Sequence, residues 1–553
     1  MTTATLAGPA GRASETSRGA SEFTGTWRLF RLYLRRDRIV LPLWVILLSL
    51  PLGSVYVKAT QKVYSTPDQI RHFVHSVNTS PAQLAMYGPA YNETSGAAAG
   101  LWKAGMFFTI IGIATILTVI RHTRAEEETG REELLASTRL GRLANLTAAL
   151  LVACLGALAT GLLGAASIKG AGVDGHGALA FGLALAGSGI VFAAVAAVAA
   201  QLSASARTTR GIAFVVLAVT YTLRAIGDAR ASNGPADPLS WLAPQGWSIQ
   251  VRALSGDHWW VLLLHVAATI VLTGVAYALL SRRDIGAGLI AERPGAPAAS
   301  ENLAGPFGLA WRLQRGTLIA WTVGLGLYGL VIGSIIHGIG NEIGGSKSVE
   351  DIVTRMGGAS GLEDAFITTG YQMLGLAAAA YAISAVLRLN SEESADRAEI
   401  VLTGVVGRIR WVASHLLYAL LGPVIVLGVS GLLGGLAYGI AAHDVSGKLP
   451  RVLGAAMVQL PAVWLFAGAA VLLFGLLPRW ASLAWGVFTA GVALYLLGSI
   501  AGIPQWVLDI DPYSHLPKLP SAPFTATPVV VLVVIAAVLA GIGLVAFRRR
   551  DLR

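Results

Sequence analysis

Charge and cysteine are both scarce in this chain. Of its 553 residues only 13% are charged, 54% are hydrophobic, and the mean hydropathy is +0.64. Soluble domains carry about 25% charged residues, so the composition excludes an ordinary soluble protein. The single cysteine, Cys154, lies in an apolar run, and one cysteine cannot form an intrachain disulfide. We expect it to be a small buried thiol.

A nucleotide-binding motif is also missing. A P-loop needs glycines that cradle phosphate and a Lys followed by Ser or Thr. The nearest stretch, Gly340–Ser348 (GNEIGGSKS), has a different spacing and follows an apolar run instead of a strand. Leu254–Asp257 (LSGD) superficially resembles an ATPase signature, but it falls in a predicted outer loop. No free stretch could form an ATPase domain of about 200 residues.

Long apolar runs fill most of the chain instead. Each membrane crossing takes about 20 apolar residues, and Gly and Ala are abundant, as in closely packed membrane helices. The sequence therefore predicts an all-α polytopic membrane protein with twelve transmembrane helices. Their predicted positions are about 39–57, 101–120, 143–168, 178–202, 211–229, 259–280, 316–337, 368–388, 410–441, 452–477, 480–500 and 526–547. The start of the eighth is the least defined.

Arginine is distributed unevenly over the loops. Most of the 41 Lys and Arg residues fall on the side of the two termini, and every basic residue on that side is Arg. Positive charge is enriched in cytoplasmic loops, so we expect a multi-pass protein of the inner or plasma membrane with both termini cytoplasmic. All lysines fall on the opposite side, for no reason that the sequence gives. Anionic lipid accounts for the net charge of +11 without a nucleic-acid partner.

The N-terminal segment has no apolar core. Residues 1–22 are polar and small, which predicts a disordered tail and not a signal peptide. Residues 23–38 place large apolar side chains on one helical face and arginines on another, as in a helix that lies in the headgroup plane. The alternative is a plain basic flank of the first span. The apolar face comprises Phe23, Trp27, Phe30 and Leu34.

The chain repeats itself once. Glu126–Arg142 (EEETGREELLASTRLGR) aligns without a gap with Glu392–Arg408 (EESADRAEIVLTGVVGR), and the triplet RRD recurs at Arg282–Asp284 and Arg549–Asp551. We therefore predict two parallel six-helix halves, 39–280 and 311–553, joined by a cytoplasmic linker at 281–310 and related by an axis along the membrane normal. A substrate cavity between such halves is expected.

The repeated acidic stretch follows the second span of each half. Its i,i+4 pairs, such as Glu127–Arg131 and Glu393–Arg397, contribute only about 0.2–0.5 kcal/mol each. So short a helix is marginal in water; continuity with a span or a docked partner must hold it. The simpler alternative is a solvated turn that closes a helical hairpin. Recurrence in both halves favours a docking element.

These features resemble the permease subunits of ABC-2-type exporters. The six-plus-six layout and the EEETGREELL…GR loop carry most of the resemblance, which extends over nearly the whole chain. Weaker signals, Met86–Ala90 (MYGPA) and Trp241–Trp247 (WLAPQGW), are similar to the branch that exports polyketide antibiotics of the tetronasin type. The resemblance implies a type V ABC exporter-like fold and a transport subunit that is not itself an enzyme.

The resemblance also implies a partner. Each loop would be a coupling helix seated on a separate ABC ATPase subunit, two copies per permease, which would hold ATP and magnesium. The second copy departs from the pattern at Ala395, Asp396 and Ala398, so the two ATP sites need not be driven equally. The implied docking residues are Glu126, Glu127, Glu128, Arg131, Glu132, Glu133, Leu134 and Leu135 in the first loop, and Glu392, Glu393, Arg397, Glu399, Ile400 and Val401 in the second.

Two other classes remain as alternatives. A proton-driven multidrug antiporter of the major facilitator type needs protonatable groups at mid-membrane, and the predicted spans have few. Arg224 and Asp228 are one turn apart and should pair locally, while His265, His337 and His415 are expected to be packing residues. A membrane-bound metalloenzyme would need more ligands than His72 and His75 offer, so we expect no metal site and no catalytic residue.

An apolar substrate needs a cavity with aromatic walls and few fixed charges. The low charge of the spans favours hydrophobic cargo, such as drugs or polyketide-like antibiotics, over ions or sugars. The candidate lining residues on spans two, five, eight and eleven are Phe107, Phe108, Tyr221, Tyr371, Trp485 and Phe488.

Overall fold

The computed structural model describes residues 21–130, 140–230, 237–284, 286–290, 297–298, 300, 303, 305–336, 359–497 and 505–551. Every regular element in these residues is helical. The chain divides into two compact units, Met1–Pro294 and Gly295–Arg553. The predicted tail at 1–22 lies outside the described residues except for its last two positions.

The first unit contains ten helices within the part of the chain that is described. Six of them are long and apolar enough to cross a membrane. In chain order they are α1 (Thr26–Arg36), α2 (Val40–Val63), α3 (Pro67–Asn78), α4 (Pro81–Tyr87), α5 (Gly96–Glu128), α6 (Ala144–Gly170), α7 (Gly175–Leu202), α8 (Ala206–Arg230), α9 (Pro244–Gln250) and α10 (Trp259–Leu280).

The second unit contributes five helices of membrane-spanning length among its described residues. They are α11 (Pro306–Ile336), α12 (Ala359–Glu393), α14 (Arg408–Ala441), α15 (Val445–Leu476) and α17 (Ala526–Arg549); the short α13 (Arg397–Leu402) and α16 (Leu483–Leu497) lie between them. Eleven described helices are thus long enough to span a membrane. The predicted span at 480–500 corresponds to α16, whose apolar stretch is shorter, so a twelve-helix arrangement is not confirmed.

Each unit has a buried central helix and peripheral helices that expose apolar side chains. In the first unit α7 is 72% buried over its most apolar stretch, whereas α10 is 17% buried. Small residues let the helices approach: a Cβ built on Gly161 would lie 2.3 Å from the carbonyl oxygen of Gly182. Such contacts between α6 and α7 are typical of helix packing in lipid.

Helix α1 packs against α6 and leaves part of the predicted apolar face exposed. Leu29 and Tyr33 are buried, while Trp27 is 58% exposed and stacks on Phe30 at 5.0 Å. The guanidinium of Arg31 lies 5.3 Å from the Trp27 ring centre. The exposed aromatic and basic side chains remain suited to the membrane interface.

Candidate functional site

The first acidic loop begins with a sharp bend. Helix α5 bends at Thr123, whose φ and ψ are −116° and −94°, and its last turn, Arg124–Glu128, forms what we call the first elbow. The side chain of Glu127 is 4% exposed and binds Arg283, with oxygen–nitrogen distances of 2.6 and 2.9 Å. It also accepts from Arg124 at 2.5 Å. The carboxylate is therefore already used within the unit.

A third arginine completes this arrangement. Arg142, at the end of the repeated sequence, donates to the carbonyl oxygens of Leu280 and Arg283 at 3.0 and 2.6 Å. Because Leu280 is the last residue of α10, the elbow and the start of α6 are both tied to the end of that helix. We call Glu127, Arg142 and Arg283 the first clasp.

The second unit builds the same arrangement from the matching residues. Glu393, at the end of α12, binds Arg550 through both oxygens at 2.6 Å. Arg408 donates to the carbonyl oxygens of Arg550 and Arg548 at 2.6 and 3.4 Å. We call Glu393, Arg408 and Arg550 the second clasp. The Arg550 guanidinium also lies 5.1 Å from the ring centre of Phe474.

The two clasps explain why these residues repeat. Glu127 and Glu393, Arg142 and Arg408, and the arginines of the RRD triplets occupy equivalent places. Each clasp joins the elbow to the C-terminal end of the last helix of its unit. Removing one partner of a buried ion pair costs about 3–5 kcal/mol, because the other charge is left buried and unpaired. The clasp therefore holds the elbow in one place relative to the last helix.

The remaining acidic side chains are held differently in the two units. Glu126 is buried and accepts from Arg36 of α1 at 2.7 Å, and this hydrogen bond raises the pKa of the Arg36 guanidinium. Glu392 is also buried and binds Arg388 at 2.8 Å and Arg397 at 2.7 Å.

One predicted ion pair is wrong. Arg397 binds Glu392, and the predicted i,i+4 partner, Glu393, is taken by Arg550. A left-handed residue, Asp396 with φ 56°, separates α12 from α13 and breaks the helical register that the prediction assumed. The hydrogen bond from Arg397 to Glu392 raises the pKa of the Arg397 guanidinium.

We call residues Glu392–Arg408 the second elbow, and it exposes large apolar side chains among polar ones. Ile400 is 76% exposed and Val405 is fully exposed, while Glu399 is exposed beside them. An open pocket of about 580 Å³ lies between Glu399 and Asp551. In the first elbow Glu128 is exposed, and one of its oxygens accepts from the backbone N–H of Ala206 at 3.2 Å. Arg131, Glu132, Glu133, Leu134 and Leu135 lie outside the described residues.

In the first unit the aromatic candidates for a cavity have different neighbours. Phe107 packs edge-to-face on Tyr56, whereas Phe108 lines a small cavity in the first unit. Tyr221 donates to the carbonyl oxygen of Met86 at 3.2 Å.

In the second unit two of the three candidates contact each other. Tyr371 is fully buried and donates to the carbonyl oxygen of Ser430 at 3.1 Å, as a packing residue would. Trp485 is 38% exposed and lies against Phe488, which packs on Phe466.

The charged pair in the fifth predicted span is local, as predicted. Arg224 binds Asp228 at 3.0 Å, and Asp228 also accepts the hydroxyl of Ser240 at 2.6 Å. His265 contacts Ser248 at 3.0 Å and His415 contacts Gln314 at 3.1 Å, so both make ordinary hydrogen bonds between helices. His337 lies outside the described residues. No group of three metal-binding side chains occurs within the described part of the chain.

The functional residues that the sequence did not predict are the basic partners. Arg36, Arg283, Arg388 and Arg550 were not assigned to the acidic loop. The signal was present, because RRD repeats at almost the same offset as the acidic stretch. Only the fold shows that the RRD arginine pairs with the acidic loop, since Glu127 and Arg283 are far apart in the sequence.

Two comparisons with known proteins bear on this arrangement. Residues 303–548 match the family described as the C-terminal domain of the multidrug efflux system permease Rv1217c. Over 533 residues, 96% of both chains, the sequence is 55% identical to the multidrug efflux system permease protein Rv1217c of Mycobacterium tuberculosis (strain ATCC 25618 / H37Rv).

Proposed function

Because the chain belongs to the family of multidrug efflux permeases represented by Rv1217c, we propose that it is the membrane subunit of an ATP-binding cassette exporter of the ABC-2 type. Its cargo is hydrophobic compounds, including drugs and polyketide-like antibiotics of the tetronasin kind. A separate ATPase, in two copies, supplies the energy and holds ATP and magnesium. The chain itself is a multi-pass membrane protein.

The observation that carries this proposal is the pair of clasps. A loop that only closed a helical hairpin would not need two buried ion-paired anchors in equivalent places. Each clasp makes the elbow rigid with the last helix of its unit, α10 or α17. A motor that pushes on an elbow would therefore move three helices together in each unit, the two beside the loop and the last one.

The clasps also redefine the docking surface. The carboxylates of Glu126, Glu127, Glu392 and Glu393 are buried against arginines of their own unit. The partner ATPase would instead contact what remains exposed. In the second elbow this is the patch of Glu399, Ile400 and Val405. In the first elbow it includes Glu128.

The test is co-purification with the ATPase encoded beside this protein. The variant Ile400→Asp places a charge in the centre of the exposed apolar patch without touching the clasp. We expect it to weaken capture of the ATPase at least tenfold, since hot-spot residues contribute about 2 kcal/mol or more. The matched control is Ile510→Asp, an isoleucine of similar exposure (65%) that precedes α17, whereas the second elbow contacts the end of α17.

Two results would contradict the proposal. One is that the Ile400→Asp variant and the Ile400→Asp/Glu128→Arg double variant both assemble fully with the ATPase and keep unchanged drug-stimulated ATP hydrolysis. The other concerns the energy source: efflux that stops when the proton gradient is collapsed while ATP stays high would favour a proton-driven antiporter.

A further inference from the structure

The first unit contains an aromatic cavity at the end of α5 that is remote from the elbow. Its lining includes Ala98 and Phe108 of α5 together with Tyr91 and Arg252 from two loops. About 25 residues of α5 separate this region from Glu126, which corresponds to roughly 37 Å of helix at 1.5 Å per residue. The cavity therefore lies at the opposite membrane face of the same unit.

Aromatic rings form part of the wall, beside aliphatic residues and the polar side chains of Asn92, Ser248 and Ser255. Trp102 packs on Tyr87 with their centroids 4.8 Å apart, and Phe108 packs on Phe181 at 5.1 Å. The indole N–H of Trp102 donates to the carbonyl oxygen of Gly88 at 2.6 Å, which satisfies its one polar group. These ring side chains therefore present apolar surface to the cavity.

One positive charge stands at the edge of this apolar surface. The Arg252 guanidinium lies over the ring of Tyr91, 4.1 Å from its centre. Its Nε and one terminal nitrogen donate to the side-chain oxygen of Gln250 at 3.3 Å, and Gln250 in turn donates to the Tyr91 hydroxyl at 2.7 Å. These contacts fix the direction of the guanidinium.

Within the described residues Arg252 has no carboxylate partner. Two acidic side chains of the same region have other partners. Asp228 is bound to Arg224 and Ser240, and Asp257 accepts the backbone N–H of Leu254 at 2.7 Å. A guanidinium that is positioned but not neutralised, beside an apolar wall, is suited to an anion with an apolar body.

The loop that carries Arg252 is strained. Arg252, Leu254 and Asp257 have φ angles of 50°, 63° and 43°, a region that residues other than glycine seldom adopt. The loop is held in place by Asn92, which donates to the Leu254 carbonyl oxygen at 2.5 Å. Backbone strain of this kind clusters at ligand sites.

We propose that this cavity binds a hydrophobic monocarboxylate, with the carboxylate on Arg252 and the apolar end among the rings. The cavity volume is about 60 Å³, whereas a cavity of about 150 Å³ takes a whole benzene ring. It therefore accepts an alkyl end, and the rest of the molecule remains at the mouth. The proposal concerns binding alone and does not depend on the energy source of transport.

Equilibrium dialysis with radiolabelled octanoate tests this on the full chain. The protein is placed in phosphatidylcholine nanodiscs, which carry no net anionic charge, and binding to empty nanodiscs is subtracted. Octanol and octylammonium, of the same chain length, serve as ligand controls. We expect one saturable site for octanoate per chain, and at least tenfold weaker binding of both controls, since charge-assisted hydrogen bonds are about twice as strong as neutral ones.

Four variants locate the site. Arg252→Gln should weaken octanoate binding about tenfold or more, and Arg252→Lys should restore part of it. Ala98→Leu fills the cavity and should abolish saturable binding. Arg230→Gln, an exposed arginine at the same membrane face, should leave binding unchanged.

The proposal is overturned if octanoate shows no saturable binding, or if Arg252→Gln and Arg230→Gln bind it equally. It is also overturned if octanol binds as tightly as octanoate. If Ala98→Leu fails to fold, as judged by a lost thermal transition, the arginine pair still decides the question.

Discussion

The second clasp makes a quantitative prediction about coupling energy. Glu393 and Arg550 share two hydrogen bonds of 2.6 Å, and their side chains are 7% and 15% exposed. Breaking a buried ion pair from one side costs about 3–5 kcal/mol. Because Arg550 keeps some contact with solvent, we expect the lower end, about 3 kcal/mol, for Glu393→Gln and for Arg550→Met.

A double-mutant cycle separates the pair from its surroundings. When both partners are replaced, no buried charge is left unpaired, so the double variant should be less destabilised than the sum of the single ones. We expect a coupling energy of about 1.5–3 kcal/mol, within the range seen for residues in direct contact. Denaturant or thermal unfolding of the protein in nanodiscs measures it. Glu399→Gln, an exposed glutamate of the same elbow, is the control and should change stability by less than about 0.5 kcal/mol.

The functional consequence can be measured on the same variants. If the clasp passes motion from the elbow to α17, Glu393→Gln should lower transport per ATP hydrolysed more than it lowers ATPase binding. A coupling energy near zero between Glu393 and Arg550 would refute the structural reasoning. Unchanged transport per ATP in a variant that is measurably destabilised would refute the mechanical role.

Further expected outcomes concern the first clasp and an isolated carboxyl group. Glu127→Gln leaves Arg124 and Arg283 buried without their shared carboxylate, so it should destabilise the protein by about 3–5 kcal/mol, whereas Glu128→Gln should cost less than about 1 kcal/mol; thermal unfolding compares them, and equal effects would contradict the clasp. Burial raises the pKa of Asp511 to about 6 from 3.8, so the folded state binds this proton more tightly than the unfolded state. Stability should fall as the pH rises from about 4 to 6, by at most about 3 kcal/mol, and Asp511→Asn should remove this part of the pH profile; an identical profile in the variant would show that Asp511 does not titrate there.

The helices themselves were largely predictable. Apolar runs of about 20 residues can only be buried in lipid or in a core, and eleven of the predicted runs are helices of spanning length. The run at 480–500 shows the limit of this reasoning, because Leu483–Leu497 is short and residues 498–504 lie outside the described part. Helical spacing places Trp27 on an apolar face of α1, and only the fold shows that Leu29 and Tyr33 are the residues that α1 buries against α6.

Hydropathy, the internal repeat and the missing P-loop are properties of the sequence alone; hydropathy determined that this is a polytopic membrane protein, and the missing P-loop is the basis of the proposal that its motor is a separate chain. They follow from the chemistry of single residues and their spacing. The partners of the acidic side chains were decided only by the tertiary structure. Glu127 and Arg283, or Glu393 and Arg550, are separated by more than 150 positions, and no local periodicity joins such residues. Helix packing brings the end of the last helix of each unit beside the elbow, and this contact buries the glutamate of the loop against the arginine of that helix end.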